Sequence, residues 1–494
     1  MAQGLAMADI RHLGFSVTAA ALLALGLAGM PVQAASDKTV SKSEIKRAQQ
    51  LHVQITQSQG VYPDPAVNDY VQQLGLKMAA VSDMPGLEWY FTVLDTNDIN
   101  AFTTGGGYVY VSRGLMAYLD SEAELAAVLG HEIGHVTAKH QSRQQTQGTL
   151  ANVASAAAMI LTRQPALGDL TSVAGTAIVR GYGRDMELEA DEIGARYLAR
   201  AGYDPEAMIR VVATLKEQEQ FEKDRARAEG REPRIYHGVF ATHPDNDSRL
   251  KEVIAAAGVA KTTATGEAEN RERYLHAING LAFGSSRGQG MVRDNRFYHA
   301  NFQFTMAFPQ DWLVDNNANE LVAVSPDKHN YLQLTAQGPP PGVTSPRDFA
   351  RRALGDRRLD RAEELEINGL DAYTAIVRGD DSPYGKGANV RYVFISFNNL
   401  MWIIRGASRS DDPFPAGDVL FMSAAKTFRQ LRSNEFRLAE PYRIRIVKVP
   451  DDTTMEYVAS RSPLPKYSLE EHRLINGLYP DGEPTAGEYI KFIR

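Results

Sequence analysis

The chain contains no cysteine. That excludes disulfide-stapled folds, thiol catalysis and every zinc site built on thiolates, so any metal must be held by histidine, carboxylate and water. Positive charge is not in excess either: the formal net charge is −7 and the pI about 5.9. Nothing in this balance draws nucleic acid, and no polybasic cluster marks a site for anionic lipid. Low-complexity tracts are missing, and 44% hydrophobic with 23% charged residues is a globular composition.

Long apolar runs are confined to the start. Arg11 and His12 precede a run from Leu13 to Met30, Pro31 breaks it, and Val32-Gln33-Ala34 supplies small residues. An export signal occupying 1–34 and cleaved after Ala34 is expected, with an uncleaved membrane anchor as the alternative. The next most apolar stretch, "TLANVASAAAMILT" from Thr149 to Thr162, is too short for an obvious span and reads as a buried helix or interfacial loop.

At 494 residues the chain exceeds what one core can serve, so two to four domains are expected. Helical periodicity runs through Ile45, Ala48 and Leu51, then through Val67, Val71, Leu74 and Met78. "LEWYFTVLDT" and "GGYVYVSRGLM" read as strands, the second entered through Gly105 to Gly107. Further helices are expected from about Met186 to Arg200 and, after Gly202 and Asp204-Pro205, through "EAMIRVVATL". The charged run after it reads as a solvated helix end and loop. A polar segment near 262–270 is the first expected boundary.

Between the strands and those helices lies "SEAELAAVLGHEIGHVTAKH". Ser121 and Glu124 fit a capping box, and Leu125, Val128 and Leu129 mark a buried side. His131 and His135 lie four apart, one above the other on one helix face, and can share a zinc ion. Glu132 is turned about 100° further round, towards the water of such an ion, as a general base requires. A third protein ligand is needed, and "GYGRDMELEAD" offers Glu187, Glu189 and Asp191. Glu187 as ligand, with Asp191 one turn on accepting the second ring N–H of a ligating histidine, meets both needs from one helix face. His140, five after His135, is off that stripe by about 140° and reads as structural. His52, His237, His276, His299, His329 and His472 have no metal-like context.

"HEIGH" followed by "ELEAD" resembles the gluzincin metallopeptidases of family M48, in their exported bacterial branch. "NDINAFTTGGGYVYVSRGLM", "AGYDPEAM" and "THPDNDSRL" resemble three further family segments, so the likeness covers about residues 40–258. It implies one zinc ion per chain on His131, His135 and Glu187, Glu132 as base and Asp191 behind the ligands. It also implies Asn100, Ala101, Gly106 and Gly107, with the strand to Val111, as a substrate edge. Arg249 would stabilise the oxyanion or the site carboxylates. His243 stays open among a structural loop histidine, an oxyanion stabiliser, and a fourth ligand that shuts the site.

The expected architecture is an α+β multidomain chain: a mainly helical zincin-type domain with a small sheet (40–262), an antiparallel α+β domain (290–432), and a small βααβ module (440–494) that resembles LysM. Pro450 stands in the module where that family has glycine, which weighs against glycan binding. The expected function is zinc-dependent cleavage of extended or misfolded envelope polypeptides, in the periplasm or at its membrane surface. The C-terminal half would contact an envelope protein, or weakly a glycan or membrane surface. The alternative is a chaperone-like protein that keeps the metal site without efficient turnover.

Overall fold

The structure is a computed structural model, and it describes residues 39–147, 182–230, 233, 254–260, 268–316, 320–409 and 414–494. The expected export signal, the alanine-rich stretch, His237, His243 and Arg249 lie outside these residues. Among the described residues no helix is long and apolar enough to cross a membrane.

Helix α1 (Lys42–Gln59) starts where Ser41 Oγ accepts from the Glu44 amide, and Gly60 ends it at φ +75°. Helix α2 (Pro65–Ala80) is capped by Asp64, with proline in its first turn. Three short strands follow: β1 (Tyr90–Leu94), β2 (Ala101–Gly105) and β3 (Tyr108–Ser112). Their spatial order is β1-β3-β2, with β3 parallel to β1 and antiparallel to β2. The strand expected at the substrate edge is therefore the interior one, and β2 holds the edge.

Helices α3 (Arg113–Tyr118), α4 (Glu122–Thr137), α5 (His140–Gln147), α6 (Arg184–Ala201) and α7 (Ala207–Ala228) complete this part. Every residue of α4 from Glu122 to Val136 is buried, so it is a central helix and not one with a single apolar stripe. Its alanines and glycines let neighbours approach on all sides. The closest approach is to α6. A Cβ on Gly194 of α6 would stand 3.1 Å from the His131 amide nitrogen, and one on Gly134 of α4 would stand 3.1 Å from the Ala190 carbonyl. Glycine at these crossings brings the two backbones together, and the site depends on that contact.

Helix α8 (Arg271–Ala277) and strand β4 (Ala282–Phe283) carry the packing past the expected boundary: Tyr274, Leu275 and Leu281 share the α4 core. A separate α+β region follows. Its seven-stranded antiparallel sheet runs β11-β12-β13-β14-β10-β9-β8, using β8 (Leu313–Asn316), β9 (Leu321–Val324), β10 (Asn330–Gln337), β11 (Leu359–Ile367), β12 (Leu370–Ser382), β13 (Gly385–Phe397) and β14 (Leu400–Ser408). A four-stranded sheet of β5 (Met291–Arg293), β6 (Arg296–His299), β7 (Phe304–Ala307) and β15 (Arg429–Gln430) lies in the same region. Helices α9 (Pro346–Leu354) and α10 (Phe414–Ala425) pack on these strands, around Phe349, Phe394, Phe421 and Phe428.

The remaining segment has the strand, helix, helix, strand order read in the sequence: β16 (Tyr442–Lys448), α11 (Met455–Ser460), α12 (Ser468–Ile475) and β17 (Tyr489–Ile493). It is not packed by itself. β16 pairs with β17 on one side and β4 on the other, and Ile444, Leu474, Ile475 and Ile493 belong to the α4 core. The fully buried Lys491 ammonium donates to the Leu119 carbonyl at 2.6 Å, just before α4.

Candidate active site

Site geometry begins at the head of α4. Ser121 Oγ accepts from the Glu124 amide at 3.2 Å, and the Glu124 carboxylate accepts from the Asp120 amide at 2.7 Å, one residue earlier than a standard capping box. The helix so fixed carries His131 and His135 inward, with their Nε2 atoms 2.9 Å apart. On α6, Glu187 places Oε2 3.5 Å from His131 Nε2 and Oε1 3.5 Å from His135 Nε2. One ligand atom from each residue lies within 4.8 Å of the other two, and all three side chains are buried.

The donor set fits zinc. Tetrahedral ligands at 2.0–2.1 Å stand ~3.4 Å from one another, and the observed separations bracket that value. Two neutral imidazoles and a carboxylate form a common catalytic set, one that leaves a position for water. The outer ring nitrogens support the same reading. His131 Nδ1 donates to Asp191 Oδ1 at 2.7 Å, which leaves the Nε2 lone pair facing Glu187. His135 Nδ1 lies 2.7 Å from His140 Nδ1, and His140 Nε2 lies 3.1 Å from Glu189 Oε2. Arg143 in turn donates to Glu189 at 2.6 Å. Burial pushes the Glu189 carboxyl up, but the hydrogen bonds from Arg143 and His140 outweigh it and hold the group below its usual range.

His140 was expected to lie off the metal-facing stripe as a structural residue; it is outside the ligand cluster, but the structure sets it directly against His135. The count of 100° per residue fails because α4 stops at Thr137 and Lys139 turns the chain at φ +56° before α5 begins. Tyr182 is a second residue the sequence did not reveal. Its ring stacks on that of His135, centroids 3.9 Å apart and planes 17° off parallel. Burial, then the nearby Glu132 and Glu187 charges, hold its phenol well above the usual value, so it stays neutral. Nothing in "GYG" announces a ring against a ligand, and nothing in "HVTAKH" announces the turn that brings His140 back.

Glu132 is buried on α4 beside His131. Asn100 precedes the edge strand β2 and Ala101 opens it; Asn100 bonds through its backbone to Ser112, and Ala101 stands opposite Val111. Gly106 and Gly107 do not leave room for a substrate. They form the β2–β3 turn at φ +60° and +88°, and an added Cβ would meet Ala48 Cβ at 2.8 Å and the Glu88 carbonyl oxygen at 2.1 Å. The chain itself fills the space that the glycines make.

Residues 65–257 match the model of Peptidase family M48. The chain carries an M48 peptidase domain, and it is a zinc metalloendopeptidase. The M48 assignment agrees with individual relatives. A beta-barrel assembly-enhancing protease of Escherichia coli (strain K12) is 29% identical over 357 residues, 67% of this chain and 69% of the relative. Mitochondrial metalloendopeptidase OMA1 of Arabidopsis thaliana is 36% identical over 182 residues, 37% of this chain and 34% of that protein. Metalloprotease YcaL of Escherichia coli (strain K12) is 33% identical over 129 residues, a quarter of this chain and half of the relative.

Proposed function

We propose that this M48 enzyme cleaves extended or misfolded polypeptides of the bacterial envelope, as part of protein quality control in the periplasm. The observation that carries the chemistry is the convergence of His131, His135 and Glu187 on one buried point, with Glu132 next to the first ligand. The E. coli relative named for enhancing β-barrel assembly supports the compartment and the substrate class.

In this reading His131, His135 and Glu187 hold zinc, and Asp191 fixes the His131 ring. Bound zinc supplies Lewis acidity, polarising the scissile carbonyl and acidifying water. Glu132 accepts the proton of the attacking water and passes it to the leaving amine. An extended substrate adds to the sheet at β2, beside Asn100 and Ala101. Arg249 stabilises the developing oxyanion. His243 keeps three roles, structural, oxyanion-stabilising or occluding, and His243→Ala separates them: unchanged activity, loss, or gain. The α+β region serves as a contact surface for an envelope partner.

The deciding experiment compares the parent with Glu132→Gln for zinc content and casein cleavage. Retained zinc with cleavage reduced at least ~100-fold is expected, the usual scale for a lost general base. Equal cleavage by both would refute the assignment. Bound zinc with no cleavage by the parent would favour the chaperone-like alternative.

A further inference from the structure

The two imidazoles of the site are braced differently. His131 gives its Nδ1 proton to a buried carboxylate, Asp191, at 2.7 Å. His135 has another histidine at that distance, His140, fully buried, and beyond it Glu189, whose side chain is 42% exposed and paired with Arg143. Proton counting fixes the tautomers from both ends. An ionised Glu189 has no proton to give, so His140 Nε2 carries the hydrogen and its Nδ1 is a lone pair. That lone pair can only accept, so His135 Nδ1 carries its hydrogen and Nε2 carries none. The ring nitrogen without the hydrogen is the one that faces His131 and Glu187.

The use of a histidine here has an electrostatic reason. Glu132, Glu187 and Asp191 are already buried around this point. A further buried carboxylate behind His135 would add uncompensated charge, which is costly in a dry interior. A neutral imidazole carries the hydrogen-bond instruction outward instead, to a carboxylate that is half in water and neutralised by Arg143.

We propose that His140, keyed by Glu189 and Arg143, is a positioning residue that holds His135 in the tautomer and orientation a metal ligand needs. This rests on reading His131, His135 and Glu187 as the zinc site. The test is zinc affinity of the full chain, measured by chelator competition, alongside thermal unfolding of the metal-free protein. In His140→Asn the amide oxygen can stand where Nδ1 stood and still accept; His140→Leu fills similar volume with no acceptor. Leu is expected to bind zinc about 10–100-fold more weakly, the usual scale for lost outer partners, and Asn within a few-fold of the parent. Metal-free unfolding should not separate Asn from Leu. Glu189→Gln keeps an acceptor and should bind as the parent does, whereas Glu189→Lys, a donor only, reverses the order of protons and should weaken zinc. That half-exposed pair decides the matter if both His140 variants fail to fold. Zinc binding by Leu equal to that of Asn, or by Lys equal to that of Gln, overturns the proposal. If the parent still binds zinc and Glu132→Gln still loses cleavage, the protease reading survives such a result; a parent that binds no zinc sinks both.

Discussion

Glycine at the α4–α6 crossing makes a prediction that can be worked from distances. In an open helix Gly→Ala gains about 0.8–1.0 kcal/mol from backbone entropy. At Gly130 the new Cβ would meet the mobile Met78 Cε at 3.2 Å and the Gly194 carbonyl oxygen at an ordinary 3.5 Å, so little opposes that gain. At Gly194 it would meet Met208 Cε at 2.8 Å, which can swing aside, but also the His131 amide nitrogen at 3.1 Å and the Gly130 carbonyl carbon at 3.3 Å, which cannot. Overpacking of this sort costs about 1–3 kcal/mol, leaving Gly194→Ala up to roughly 2 kcal/mol less stable than the parent. The backbones can relieve the clash only by parting a few tenths of an ångström, and Glu187 rides on the helix that moves. Zinc affinity should therefore fall by more than the loss of fold stability accounts for. Urea denaturation of the metal-free variants and chelator competition measure the two effects. A Gly194→Ala protein at least as stable as Gly130→Ala, with zinc affinity unchanged, would refute the reasoning.

Three further outcomes follow from the described packing. Arg113 is fully buried, with Nε 3.0 Å from Asp95 Oδ1 and one terminal nitrogen 2.7 Å from the Ala282 carbonyl, so Arg113→Met should cost about 3–5 kcal/mol by stranding a buried carboxylate, read as a lower urea midpoint. Burial, above all, pushes the Glu471 carboxyl up to about 7 from an ordinary 4.5, so the folded protein binds the extra proton and the stability this confers is complete below about 4.5 and lost as pH rises through 7. Glu471→Gln should match the parent at pH 4 and exceed it by up to roughly 3 kcal/mol at pH 8; a gap that does not change with pH would disprove this. Removing residues 440–494 should leave the M48 domain unable to fold, since Ile444, Leu474, Ile475 and Ile493 complete its core; a shortened chain with the parent's unfolding temperature would contradict that.

Features set by short-range chemistry were legible in the sequence. Ser121 capped the helix as read, Gly202 ended α6 at φ +82°, and the βααβ order of the last segment was plain from its periods. The strands around "FNNLM" also followed from their alternation, with Asn398 and Asn399 turning at φ +52° and +58° as tight hairpins require. What escaped depended on distant partners. "LDRAEELEI" shows no clean alternation because β11 is an edge strand largely in solvent. "AFTTG" was not separable as a strand, so the edge was assigned to β3. The charged run after Leu215 reads as solvated, yet Phe221 within it is buried between Tyr467 and Tyr479. At the site, residue type and spacing brought out His131, His135 and Glu187, while His140 and Tyr182 needed the three-dimensional turn of the chain.

The bond from Lys491 to Leu119 joins residues 372 positions apart, and Ile493 of the same strand belongs to the core that surrounds the histidine helix. The order of assembly follows from that distance. Whatever local structure α4 gains early, its surroundings stay unfinished until β17 arrives, and a search over so long a loop is slow. A half-made chain thus holds every ligand and no working protease, which protects its neighbours while it is still being built.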